Sequence, residues 1–247
     1  MQKNSLTDKV ALVTGAGRRI GAATVKGLHA EGMRVGIHYH TSKSDAEQLA
    51  RKLNRIRPDS AWPVAGDLSD PGDLHRMVAA VIERFERLDA LVNNASTFYP
   101  TPVRRATPEQ WDDLVGINMR APFFLAQAAA PALLASAGCI VNMADVYARR
   151  PLADHAIYCA AKAGLVALTR ALARDLSPVR VNAVAPGAII WPENAGSEDR
   201  QGIIERTPLQ RLGTPEEIAA TIVYLIGPAT FVTGQVITVD GGRSLVP

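Results

Sequence analysis

Apolar positions along this chain fall into two alternating patterns: short, often β-branched runs, and longer stretches in which they recur every three or four residues. The short runs predict strands at residues 9–14, 34–39, 61–65, 88–93, 138–143, 179–184 and 235–239. The longer stretches predict helices near residues 20–31, 45–54, 71–85, 108–134, 155–176 and 215–226. Near-continuous apolar strands between amphipathic helices imply an α/β fold, a parallel sheet with helices on both faces. Right-handed crossovers make such a sheet doubly wound, with its ligand crevice at the carboxyl ends of the strands. No repeat or linker interrupts residues 1–247, which read as one domain. Residues 190–210 form the one long stretch without periodicity, either a lid over the crevice or a solvated loop.

Composition changes this picture little. The 247 residues are 47% hydrophobic and 21% charged, enough for a large core without disulfides or a metal site. Lys and Arg exceed Asp and Glu by 27 to 24, and the basic residues are scattered, which argues against nucleic acid as a partner. Cys139 and Cys159 form no CxxC pair, and Cys139 in the run CIVNM reads as a small core residue. The apolar part of the first residues is too short for a signal peptide. No stretch approaches the ~18 uncharged apolar residues of a membrane span, so a soluble cytoplasmic protein is expected.

Candidate chemistry begins at the first glycine turn. The strand at 9–14 runs into Gly15-Ala16-Gly17-Arg18-Arg19-Ile20-Gly21 and then into a helix. Glycines there let backbone approach a pyrophosphate, and the helix N-terminus offers free N–H groups. Arg18 and Arg19 oppose the positive end of that helix, a placement that makes sense when an anion also sits there. Gly15, Arg18, Arg19 and Ile20 are therefore candidate cofactor contacts. The second strand ends in His38-Tyr39-His40-Thr41-Ser42-Lys43, with no acid before Asp45. An NAD site usually carries Asp or Glu at this point. His40, Thr41 and Ser42 suit a ribose 2′-phosphate instead, so NADPH is expected. Asp67 and Leu68, after the third strand, are candidate adenine contacts, while Ser69 or Asp70 before Pro71 suits the next helix cap better.

Tyr158 and Lys162 are four residues apart on a predicted helix, so both side chains leave one face. A tyrosine titrates near 10 and is a poor proton carrier unless tuned, and a neighbouring ammonium favours its phenolate.

Thr14-Gly15, Asn93-Asn94-Ala95, Asn118, Tyr158-x-x-x-Lys162, Pro186-Gly187 and Asp240-Gly241-Gly242 together resemble, in order, the motifs of the short-chain dehydrogenase/reductase family. The resemblance covers essentially the whole chain. It implies a Rossmann-type domain, a nicotinamide cofactor and hydride transfer with Tyr158 as proton donor. It also implies that Lys162 binds the nicotinamide ribose and lowers the tyrosine pKa, and that Asn118 holds a water linking the lysine to solvent. Asn94, Ala95, Ser96, Met143, Pro186 and Gly187 become candidate cofactor contacts, and a homotetramer is expected.

Two positions depart from the family pattern. Arg19 stands where a glycine is usual, and Asp145 stands where the catalytic serine is usual, thirteen residues before Tyr158. Both departures occur in pteridine reductases, which the runs Gly17-Arg18-Arg19-Ile20-Gly21, Asn94-Ala95-Ser96-x-Phe98-Tyr99-Pro100 and Asn142-Met143-Ala144-Asp145 also resemble. That resemblance implies Phe98 stacked on a pterin, Arg19 beside the pterin and the cofactor phosphates, and Ser96 bonded to both. Asp145 and Tyr158 would protonate the ring, and a pterin or folate would be the substrate. Dihydromonapterin reductases share the turn and the Asp, Tyr and Lys set. A ketone or 3-oxoacyl reductase is disfavoured by Asp145, and a nucleotide-binding regulator by the intact Asn118, Tyr158 and Lys162.

Overall fold

The structure, a computed structural model, describes residues 6–190 and 197–246. Seven parallel strands form one sheet in the order β3-β2-β1-β4-β5-β6-β7. They are β1 (Val10–Val13), β2 (Arg34–Tyr39), β3 (Ala61–Ala65), β4 (Ala90–Asn93), β5 (Cys139–Met143), β6 (Arg180–Pro186) and β7 (Val236–Val239). The chain order reverses between β1 and β4, so the carboxyl ends of these two strands diverge and open a crevice. This is the Rossmann-type α/β fold expected.

Strand residues alternate between two cores. Ala11, Val13, Val35, Ile37, Val92 and Val141 face α1 (Arg19–Ala30), α2 (Lys43–Ile56) and α8 (Pro215–Ile226). Val10, Leu12, Val64, Leu91, Ile140 and Val181 face α3 (Pro71–Phe85) and α5 (Ala121–Ser136). Residues buried on both sides explain why the strands read as unbroken apolar runs. Asp70 caps α3 by accepting from the Gly72 N–H at 2.8 Å, as the sequence suggested. Reciprocal capping boxes, Thr107 with Gln110 and Thr214 with Glu217, start α4 (Pro108–Val115) and α8.

The structure corrects the sequence reading in two places. Residues 108–134 are not one helix: α4 and α5 are separated by a π-helical turn, Gly116–Arg120. Pro122 has no N–H for the carbonyl four residues back, and the preceding Ala121 N–H reaches Gly116, five back. Nor is 190–210 irregular throughout, because Ser197–Glu205 forms a helix, α7. Residues 191–196 of that stretch lie outside the described ones.

Helix α6 (Ala156–Asp175) is long and apolar enough to cross a membrane by length and composition, with a mean hydropathy of 1.4. Here it packs against β6, and Leu165, Thr169 and Leu172 are buried.

Near the amino ends of β1 and β4, Asp89 is 4% exposed. Its carboxylate accepts from the Val10 N–H at 2.8 Å and from Arg87 twice, at 2.8 and 2.7 Å. Asp89→Ala leaves a buried N–H without a partner, and we expect a loss of about 2 kcal/mol in urea denaturation. An unchanged midpoint would show that the β1 amide finds another acceptor.

Candidate active site

The crevice at the β1/β4 reversal widens into a cleft of about 630 Å³. Its floor begins at Gly15, whose φ of +59° is the left-handed conformation that glycine tolerates. The Thr14 hydroxyl accepts from the N–H groups of Asn94 and Ala95 at 2.9 and 3.0 Å. The Asn94 amide donates in turn to the carbonyls of Thr14 and Gly15 at 2.8 and 3.1 Å. The turns after β1 and β4 are thereby one unit. A Cβ on Gly21 would lie 2.4 Å from the Gly15 carbonyl oxygen, so only glycine lets α1 start this close to the turn.

His38 braces the same turn, a role the sequence did not reveal. Its Nδ1 accepts from the Gly15 N–H at 3.0 Å, and its Nε2–H donates to the Gly66 carbonyl at 3.1 Å. Burial holds its pKa down to about 4, so the imidazole is neutral and its tautomer is fixed by these two partners.

Arg18 and Arg19 both line the cleft. Arg18 precedes α1 and donates to Asp45 at 2.6 Å, so this cation already has a carboxylate. Arg19 has a φ of +51°, which explains why glycine is usual there. A side chain in that conformation costs on the order of 1–2 kcal/mol.

The candidates at the end of β2 lie apart from the cleft lining. Ser42 precedes α2 and makes no capping bond, and a Cβ on Gly17 would lie 2.9 Å from its hydroxyl oxygen. Thr41 stands between it and His40, whose Nε2 is 3.8 Å from the Asp67 carboxylate. Acids therefore do approach this end through folding, Asp45 at Arg18 and Asp67 at His40, although none sits on the strand end itself. Asp67 also accepts from the Ser69 N–H and hydroxyl, both at 2.8 Å, and these bonds hold its pKa low. Leu68 is 6% exposed and belongs to the core.

The other end of the cleft carries the charged chemistry. Tyr158 donates its phenolic proton to Asp145 Oδ2 at 2.7 Å, and Asp145 Oδ1 accepts from the Tyr147 N–H at 2.9 Å. Asp145 is thus both the cap of a short 3₁₀ turn, Val146–Ala148, and the partner of the tyrosine. Lys162, 1% exposed, donates to the Met143 carbonyl at 2.8 Å, with its Nζ 5.7 Å from the centre of the Tyr158 ring.

Burial raises the Asp145 pKa, opposed by the Tyr147 and Tyr158 hydrogen bonds and by Lys162. Burial lowers Lys162 to about 8, opposed by Asp145. Tyr158 is raised, first by burial and then by the Asp145 charge and hydrogen bond. This corrects the expectation of a phenol lowered by Lys162: the carboxylate is the nearer charge, and the phenol holds its proton.

Phe98 and Ser96 line the cleft on the loop after β4, and Asn118 is fully buried in the π-helical turn behind them. Phe98 is 51% exposed and touches Tyr158 edge-on, with ring centres 4.8 Å apart. One of its faces is already covered by His155, at 4.6 Å and 14°. The sequence reading missed His155, for which neither spacing nor motif gave a signal. Met143, Pro186 and Gly187 line the cleft at the ends of β5 and β6, as do Ile190 and Ile203 from the stretch 190–210. Among the described residues, no group of three or more His, Cys, Asp or Glu side chains could hold a metal ion.

Comparison with known proteins agrees with this geometry. Residues 15–244 match the family described as enoyl-(acyl carrier protein) reductase. Pteridine reductase 1 of Leishmania tarentolae is 36% identical, covering 98% of this chain and 98% of its own length. A Streptomyces violaceoruber protein named for ketoacyl reductase 2 of the granaticin polyketide synthase is 39% identical, covering 96% of each chain. The 3-oxoacyl-(acyl-carrier-protein) reductase of Staphylococcus aureus is 34% identical, covering 95% of this chain and 97% of its own. The chain belongs to the short-chain dehydrogenase/reductase family. It is an oxidoreductase of the kind that works with a nicotinamide cofactor.

The buried ammonium has a consequence for stability. With its folded pKa below its unfolded value, Lys162 binds fewer protons folded than unfolded between about pH 8 and 10.4, so its penalty is full below that window and fades as pH rises through it. Lys162→Met removes the penalty at similar volume, and we expect a higher Tm at pH 7, with an advantage that shrinks toward pH 10. A lower Tm at pH 7 would mean that the bond to Met143 outweighs the desolvation.

Proposed function

We propose that this oxidoreductase is an NADPH-dependent pteridine reductase, reducing dihydropterins, with pterin, folate or dihydrofolate as further candidate substrates. The observation that carries the reading is the 2.7 Å bond between Asp145 and Tyr158, where a ketone reductase of this family pairs the tyrosine with serine. Reduction of a ring C=N adds hydride to carbon and a proton to nitrogen. A partly buried carboxyl and a buried phenol, joined by one hydrogen bond, supply such a donor. Phe98, half exposed beside Tyr158, offers a flat apolar surface to a flat ring.

The residues fit a nicotinamide dinucleotide. Gly15 and Gly21 leave a side-chain-free turn beneath the N-terminus of α1, and Lys162, which lines the cleft, would hold a ribose. When bound, the cofactor supplies the hydride. At the other end, the uncapped start of α2 with His40, Thr41 and Ser42 suits a 2′-phosphate, which supports NADPH over NADH. The relatives named for ketoacyl reduction support a second reading, a 3-oxoacyl reductase, and a dihydromonapterin reductase is a further alternative within the family.

Steady-state assays with dihydrobiopterin and a 3-oxoacyl thioester, each with NADPH and NADH, separate these readings. We expect dihydrobiopterin to be reduced, with NADPH preferred, and Asp145→Ser to lower that rate by about 10²-fold. Reduction of the thioester with no activity on any pterin would establish the second reading.

We also propose a homotetramer. Phe123 and Phe124 on α5 and Val166 and Leu168 on α6 are only partly buried in one subunit, which leaves apolar surface for a partner. Light scattering at micromolar concentration should give four times the 26.4 kDa chain mass, and a monomeric mass would remove the proposal.

A further inference from the structure

A serine hydroxyl has one proton to give and two lone pairs to offer. Ser96 lines the cleft, and the direction of its proton follows from Asn118. The Asn118 side-chain nitrogen lies 2.9 Å from the Leu114 carbonyl and 2.9 Å from the Thr97 carbonyl, with Thr97 Oγ1 at 3.3 Å. Carbonyl oxygens only accept, so the two amide protons point at them. Turning the amide over would set its oxygen against both carbonyls in a fully buried site. Asn118 Oδ1 therefore faces Ser96, and at 2.6 Å it takes the Ser96 proton. The Thr97 carbonyl, 3.4 Å from Ser96 Oγ, is too distant to compete. Tyr158 gives its own proton to Asp145, so toward Ser96 its oxygen can only accept; it competes with Asn118 for the Ser96 proton and, like Asn118, leaves none for the cleft. Toward the cleft, Ser96 has only lone pairs left.

We propose that Asn118 is a positioning residue that makes Ser96 an acceptor-only contact, so that the cleft selects substrates presenting an N–H donor at that point. The rule rests on the pteridine reading and sharpens it. An aminopyrimidinone ring meets Ser96 with a donor, whereas a ring or thioester presenting a carbonyl there sets oxygen against oxygen. The bond is then lost and both oxygens are left desolvated.

The test uses two pteridines that differ at one substituent, 2-amino-4-oxopteridine and 2,4-dioxopteridine, titrated by fluorescence into NADP⁺-loaded protein. The unmodified protein should bind the amino compound about tenfold more tightly. Ser96→Ala should bring the ratio close to one, and Ser96→Thr, which keeps the hydroxyl, should preserve most of it. Asn118→Leu releases the Ser96 proton and should also lower the ratio, and if that variant does not fold, the Ser96 pair still decides. Equal binding of both compounds by the unmodified protein overturns the proposal and leaves the pteridine reading standing. A ratio unchanged in Ser96→Ala overturns it too, and when NADP⁺ binding alone is weakened, the donor at Ser96 belongs to the cofactor. If neither compound binds, the pteridine reading fails and the rule fails with it.

Discussion

The side-chain amide of Asn142, buried in β5, joins the sheet to the helix that carries the chemistry. Its oxygen accepts from Asn93 on β4 at 2.8 Å, and its nitrogen donates to the Thr169 hydroxyl on α6 at 2.9 Å. Thr169 passes its own proton to the Leu165 carbonyl at 2.8 Å. Apart from Asn93 Oδ1, which has no partner, the side-chain polar atoms of this chain are paired, and the bonds to Thr169 and Leu165 tie α6 to the strands. Lys162 and Tyr158 stand seven and eleven residues before Thr169, on the same helical face. Asp145 stands three residues after Asn142. The buried amide thus ties the helix that bears the phenol to the strand that leads to the carboxylate, and the Lys162 bond to the Met143 carbonyl ties them a second time.

Much of this was legible in the chain. Runs buried on both sides announced a parallel sheet, and Asp70 before Pro71 announced a cap. Tyr158 and Lys162 were readable because their spacing matches a helical turn and a nucleotide turn precedes them. What was not legible depends on contacts between distant segments or on a single residue. Arg18 and Asp45 are 27 residues apart, and nothing local pairs them. His38 reads as a strand residue until Gly15 and Gly66 are brought to either side of it. Apolar periodicity passes over the π-helical turn, because one added residue barely disturbs a pattern that Pro122 actually interrupts. The tyrosine pKa was misjudged because sequence spacing showed the lysine four residues away, while folding put Asp145 closer.

The site also departs from what stability alone would choose. Asp145 and Lys162 are both largely removed from water, and each shifts toward its neutral form. Arg19 takes up a left-handed backbone that a glycine would adopt without cost. Such departures persist where the surrounding structure holds them, here the Thr14 hydroxyl, the Asn94 amide and the His38 brace. The strained and desolvated groups face one cleft, and the well-satisfied ones form its walls.

The π-helical turn at Gly116–Arg120 can be viewed as one residue spliced into an otherwise regular α-helix. Each α-helical residue advances the helix by about 100°, so excising one residue there would rotate α4 against α5 by that angle. Asn118 would then swing away from Ser96 and Thr97, although no residue named in the site had been replaced. Length in this stretch is therefore as tightly constrained as identity. A chain that drifted by one residue between Thr107 and Pro122 would keep its helices and its sheet, and yet lose the acceptor that orients the Ser96 proton.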